Sequence, residues 1–285
     1  MRPSSLVRFL SVAAAAAALL TAGATAGSAA PLNYVNLGDS YSAGSGILPV
    51  APGISLTCLQ SARNWAHVIA ETRGYHLRDV SCGGAATQDF TRSQSPVVPA
   101  QADALSPATG LVTMTIGGND NNTFGSALLS CGAAAISTGG QGNPCQAAYG
   151  DSFADTVRTK TYPNLVSALT TVKEKAPNAR IAIGDYLGIL PDGPGCFPVL
   201  PIASGDVAYL RDLQATLDDA IERAADATGA TFVDFSGIAR GHDACRPVGT
   251  RWVEPVIPVG SLAPVHPNAE GERQMALHTL EVLGR

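Results

Sequence analysis

Lysine is nearly absent from the chain: 285 residues contain only Lys160, Lys173 and Lys175. Charged residues make up 14% of the sequence, and the formal net charge is −5. No basic stripe runs along it, which argues against a nucleic-acid partner. There is no Cys-x-x-Cys pair and no His-x-x-x-His pair, so a zinc site lacks its usual ligand spacing. Beyond the N-terminus no apolar run is long enough to span a bilayer. No internal repeat and no linker-like boundary divides the chain.

The N-terminus has a character of its own. Arg2 and Arg8 precede the apolar run "FLSVAAAAAALLTAGA", and "ATAGSAA" follows with small residues. This order is that of a secretory signal peptide, removed from the mature protein. Residues 1–29 are assigned to it, with cleavage after Ala26, Ala29 or Ala30; Pro31 disfavours the last. Residues 30–285 then form a single domain of about 255 residues, enough to bury a core. Losing the two arginines takes the net charge to about −7. The expected product is extracellular and monomeric, with no stable membrane anchor.

Six cysteines remain: Cys58, Cys82, Cys131, Cys145, Cys196 and Cys245. An even number in an exported chain implies disulfides, but six allow 15 pairings and the count alone does not choose among them. Sequential pairing (58–82, 131–145, 196–245) is favoured because each bond would then close one loop region.

Strand-like and helix-like stretches alternate. Tyr34–Leu37, His76–Ser81, Leu111–Ile116, Arg180–Gly184 and Thr231–Asp234 read as strands. Asn64–Arg73, Asp206–Thr228 and Asn268–Leu283 read as helices, as does Ser152–Ala176 with an interruption near Pro163. Ser130–Gly150, Leu187–Ile202 and Ile238–Pro264 read as irregular. The alternation signals an α/β domain on a mostly parallel sheet, with helices as the crossovers.

In such sheets ligands bind beyond the carboxyl ends of the strands. Those exits hold Gly38-Asp39-Ser40, Cys82-Gly83-Gly84 and Gly117-Gly118-Asn119, and Val265-His266-Pro267 precedes the last helix. A serine, a glycine, an asparagine and a histidine thus converge on one rim. The first exit, "GDSYSAGSG", lacks the lysine of a P-loop and the spacing of a dinucleotide fingerprint. Nor does it fit G-x-S-x-G, the nucleophile elbow of α/β-hydrolases.

"GDSYSAGSG", "GGAA", "GGND" and "VHPNAEG" occur in the order of the four sequence blocks of the SGNH, or GDSL-type, hydrolases. The chain resembles that family along its whole mature length, and in particular its secreted actinobacterial lipases and esterases. The resemblance implies a flavodoxin-like three-layer α/β/α sandwich around a parallel sheet of about five strands. It implies a nucleophile at Ser40 and a general base, then acid, at His266. The backbone N–H groups of Ser40 and Gly84 and the side-chain amide of Asn119 would form the oxyanion hole. No cofactor or metal is called for.

The family's aspartate three residues before the histidine is here Ala263. A Ser40–His266 dyad is therefore expected, with a backbone carbonyl of Leu262, Ala263 or Pro264 orienting the imidazole. Asp39 and Asp120 are read as loop-ordering residues. Trp65 and Trp252 are read as packing residues. The implied reaction is hydrolysis of a carboxylic ester, with an acyl ester or lipid as substrate. Leu187, Ile189, Leu190, Phe197, Val199 and Leu200 are candidates for an acyl groove. Three alternatives stand beside a lipase or esterase: a phospholipase A type activity, a carbohydrate acetylesterase, and a non-catalytic secreted binding protein. A sugar site would want stacking aromatics near Ser40, and the motif loops offer only Tyr41.

Overall fold

The computed structural model describes residues 30–53, 56–257 and 262–284. The expected signal peptide and its cleavage sites up to Ala29 lie outside the described residues. Five strands make one parallel sheet in the order β2-β1-β3-β4-β5: β1 (Asn33–Asn36), β2 (His76–Asp79), β3 (Leu111–Thr115), β4 (Arg180–Gly184) and β5 (Thr231–Val233). Every residue of the central strand β3 is buried, whereas the edge strand β2 alternates exposed and half-buried positions. That contrast follows from covering both faces of the sheet's middle.

The chain winds outward from β1 in one direction and from β3 in the other. Crossovers between parallel strands are right-handed as a rule, which with this reversal assigns α2 (Trp65–Arg73) to one face and α6 (Tyr162–Lys175) and α7 (Asp206–Thr228) to the other. The closing helix α9 (Ala269–Val282) packs beside α2. The sheet is parallel, as the alternation of elements predicted, and the arrangement is three-layered, as the family resemblance implied. Trp65 is fully buried and meets Phe235 edge to face at 5.4 Å. Along α7, Leu210, Leu213, Leu217 and Ile221 form the buried stripe.

Several boundaries move by a residue for a physical reason. Asn64 is the N-cap of α2 and accepts from the His67 N–H, Asp234 caps α8 (Phe235–Ile238), and Asn268 caps α9. The interruption expected near Pro163 is a π-helical turn, Val157–Thr161, joining α5 (Ser152–Thr156) to α6. Pro163 lies just past it, in the first turn of α6, and has no N–H to donate.

The stretch 130–150 is not irregular. α3 (Thr123–Ser137) and α4 (Pro144–Tyr149) fill most of it. Its alanines are strong helix formers, and that outweighs the turn-like look of the glycines and serines. Disulfides join Cys58 to Cys82, Cys131 to Cys145 and Cys196 to Cys245, with Cα separations of 4.2, 4.9 and 5.6 Å. Among the described residues no helix is long and apolar enough to cross a membrane.

Candidate active site

The strand order reverses between β1 and β3, and the site sits beyond their carboxyl ends. Leu37 is buried, and Gly38 follows with φ +116°. A Cβ at Gly38 would stand 2.3 Å from the Thr115 carbonyl oxygen, so only glycine lets the two strand exits approach. Gln101 clasps Gly38 from the other side, accepting from its N–H at 2.7 Å and donating to its carbonyl at 2.9 Å.

Asp39 caps the short helix α1 (Ser40–Ala43), accepting from the Tyr41 N–H. It also accepts from the hydroxyls of Thr115 and Tyr186. Burial pushes its carboxyl up to about 6, against the hydrogen bonds of Tyr186, Tyr41 and Thr115 that lower it. The side chain is thus committed to holding the loop. Ser40 opens α1, half-buried, at the rim.

His266 arrives from the far end of the chain. Its Nε2 lies 2.7 Å from Ser40 Oγ, and its Nδ1 lies 2.8 Å from the Pro264 carbonyl oxygen. A carbonyl only accepts, so the Nδ1–H tautomer is fixed and Nε2 is left to accept from the serine. Among the described residues no carboxylate hydrogen-bonds to this imidazole. Desolvation lowers its pKa below 6.5, and the bond to Pro264 only partly offsets this. The imidazole is therefore neutral at neutral pH and can take a proton from Ser40.

Its approach is held on both sides. Val265 sits at φ +57°, an uncommon conformation for a β-branched residue. Tyr41 donates its hydroxyl to the Val265 carbonyl at 2.8 Å. The Glu254 N–H donates to the His266 carbonyl, and the Val265 N–H to the Glu254 carbonyl. The Glu254 carboxylate is itself tied to Arg251 and Asn268.

Gly84 sits at φ +77° in a loop that the Cys58–Cys82 disulfide and a Gly83 N–H to Cys58 carbonyl bond hold together. Among the described residues neither the Ser40 nor the Gly84 N–H has an acceptor. Asn119 donates one Nδ2 hydrogen to the Ala85 carbonyl at 3.0 Å, which orients the amide and leaves the other hydrogen. The next residue, Asp120, accepts from the Thr87 N–H, the Thr87 hydroxyl and Asn164, linking the exits of β2 and β3. Burial raises its pKa, and the bonds from Thr87 work against the shift.

A cavity of about 120 Å³ opens beside Ser40, Asn119 and His266. Its apolar walls are Phe124 and Leu128 of α3, Ile189, and Leu217 of α7. Of the six residues expected to line an acyl groove, only Ile189 does so. Leu187, Leu190 and Leu200 are buried in the core, and Gln214 holds the start of their segment through the carbonyls of Tyr186 and Leu187. Phe197 packs over Gly140 instead. The α3 wall was missed, although Phe124, Leu128, Cys131 and Ala135 recur at helical spacing. Trp252 stacks on His242 at 3.9 Å, away from the site.

The GDSL-like Lipase/Acylhydrolase family matches over residues 37–274. The chain is 56% identical over 267 residues to Lipase 2 of Streptomyces coelicolor, covering 93% of this chain and 90% of that protein. It is 30% identical to Lipase 1 of the same organism, covering 95% and 96%. The crystal structure of phospholipase A1 from Streptomyces albidoflavus superposes with a TM-score of 0.73 at 26% identity, covering 89% and 98% of the two chains. The extracellular lipase of Streptomyces rimosus does so with 0.72 at 25%, covering 88% and 98%.

Proposed function

The chain belongs to the GDSL-like lipase/acylhydrolase family, and from that premise we propose a secreted lipase or esterase that works through Ser40 and His266. The observation that carries this reading is one imidazole with Nε2 on the Ser40 hydroxyl and Nδ1 on the Pro264 carbonyl.

Ser40 Oγ attacks the ester carbonyl carbon as His266 Nε2 takes its proton. The negative oxygen that develops is met by the Ser40 and Gly84 N–H groups and the second Nδ2 hydrogen of Asn119. One such donor is worth ~10²–10³ in kcat. The intermediate collapses, the imidazolium returns its proton to the departing alkoxide, and an acyl-enzyme on Ser40 remains. Water, deprotonated by the same nitrogen, releases the acid. The Pro264 carbonyl keeps the ring in its working tautomer throughout, the task an acidic third member has elsewhere.

The apolar cavity supports a fatty acyl group as the part of the ester held by the protein. The named lipases among the relatives support the same class. The extracellular lipase of Streptomyces rimosus, the disulfides and the N-terminal sequence support secretion. A phospholipase A1 activity is a second reading, favoured by the structural similarity to the Streptomyces albidoflavus enzyme. The test is initial rates on p-nitrophenyl esters from acetate to palmitate for wild type and Ser40→Ala. The wild type should cleave them and Ser40→Ala should not. Equal rates from both proteins would remove Ser40 from the reaction.

A further inference from the structure

α3 carries glycine at two positions seven residues apart, Gly125 and Gly132, where alanine would serve the helix better. A Cβ at Gly132 would make an ordinary contact with the neighbouring loop, 3.5 Å from the Pro201 carbonyl oxygen. At Gly125 packing demands no glycine either. Its backbone is helical and outside the left-handed region. A Cβ at Gly125 would meet nothing closer than Asn122 Oδ1 at 3.8 Å. What Gly125 faces is the cavity beside Ser40 and His266, between Phe124 and Leu128, with Ile189 and Leu217 opposite.

We propose that Gly125 determines acyl-chain specificity: by carrying no side chain it keeps open the channel along which the substrate's acyl chain runs from Ser40 between α3 and α7. This rests on the reading of Ser40 and His266 as the reacting pair. A side chain at position 125 would enter the channel from α3 and occupy space the acyl chain needs. The carbonyl end of the substrate would still reach Ser40, so a short acyl group would be little affected. Each methylene kept from burial should lower kcat/KM by about fourfold.

The test measures kcat/KM on p-nitrophenyl acetate, butyrate, octanoate and palmitate for wild type, Gly125→Ala, Gly125→Leu and Ser40→Ala, with a melting temperature for each. Gly125→Leu should lose at least about tenfold on octanoate and palmitate, with acetate within about threefold of wild type. Gly125→Ala should shift the profile the same way by a smaller amount, and should melt at the same or a higher temperature. Equal losses on all four esters would overturn the proposal, as would unchanged long-chain rates in folded Gly125→Leu or a wild type inactive beyond butyrate. If Ser40→Ala cleaves like wild type, the site reading fails and takes this proposal with it. An inactive Ser40→Ala beside an unaltered chain-length profile would sink the Gly125 proposal alone.

Discussion

Tyr41 donates its hydroxyl to the carbonyl of Val265 at 2.8 Å, so the residue after Ser40 grips the residue before His266. The Tyr41 ring also lies 5.2 Å from the imidazole and 5.0 Å from the Tyr186 ring. Ser40 and His266 are thereby tied through their chain neighbours as well as through Oγ and Nε2. Tyr41→Phe removes one buried hydrogen bond and keeps the packing. It should cost about 1 kcal/mol of stability. Because Val265, at φ +57°, then loses one of the bonds that hold it, kcat should fall by up to roughly tenfold with KM little changed. Steady-state kinetics and a denaturant titration would check both.

The pH dependence follows from the direction of the His266 shift. The base must be neutral, and burial lowers its pKa below the ordinary 6.5. Activity should therefore hold across neutral pH, and kcat/KM should fall to half only below 6.5. The same shift contributes stability that is present above 6.5 and lost as pH falls through the lowered value, since the unfolded chain takes up the proton first. A pH–rate profile with its acid limb centred above 6.5 would contradict this.

Ala263→Asp restores a carboxylate at the position where related hydrolases carry one. The Pro264 carbonyl already occupies Nδ1, so a large gain in kcat is not expected. A negative charge near the ring should raise the His266 pKa and move the acid limb of the profile upward. An unshifted limb would mean that the new carboxylate does not face the imidazole.

The Cys58–Cys82 bond closes a loop across a sequence separation of 24. Replacing both cysteines by alanine should cost about 3.5 kcal/mol in the chain-entropy account. It should also loosen the Gly83 N–H to Cys58 carbonyl bond and with it the aim of Gly84. Below the melting temperature kcat should drop while KM stays near its starting value. A variant less stable but equally fast would separate the disulfide from the reaction.

What could be read from the amino acids was local. "RIAIG" and the α7 stripe announce their own boundaries, because period and composition agree there. The strand exits carrying Ser40, Gly84 and Asn119 stand out because small polar residues follow apolar runs abruptly. α3 did not stand out, since Ala, Gly and Ser give little contrast between its faces. The contacts of Gln101, Tyr41 and Tyr186 could not be read. Their partners lie 63, 224 and 147 residues away, and no local pattern encodes such contacts. The acyl-groove expectation failed similarly: an apolar Pro-rich run after β4 looks alike whether it lines a cavity or fills a core.

Ser40 comes from the first strand's exit, and His266 from just before the last helix, 226 positions later. Synthesis must therefore run past His266 before the two can meet. Until both residues have been made and the chain has folded, Ser40 has no imidazole beside it, and the ester hydrolysis proposed for this pair would begin only where folding finishes.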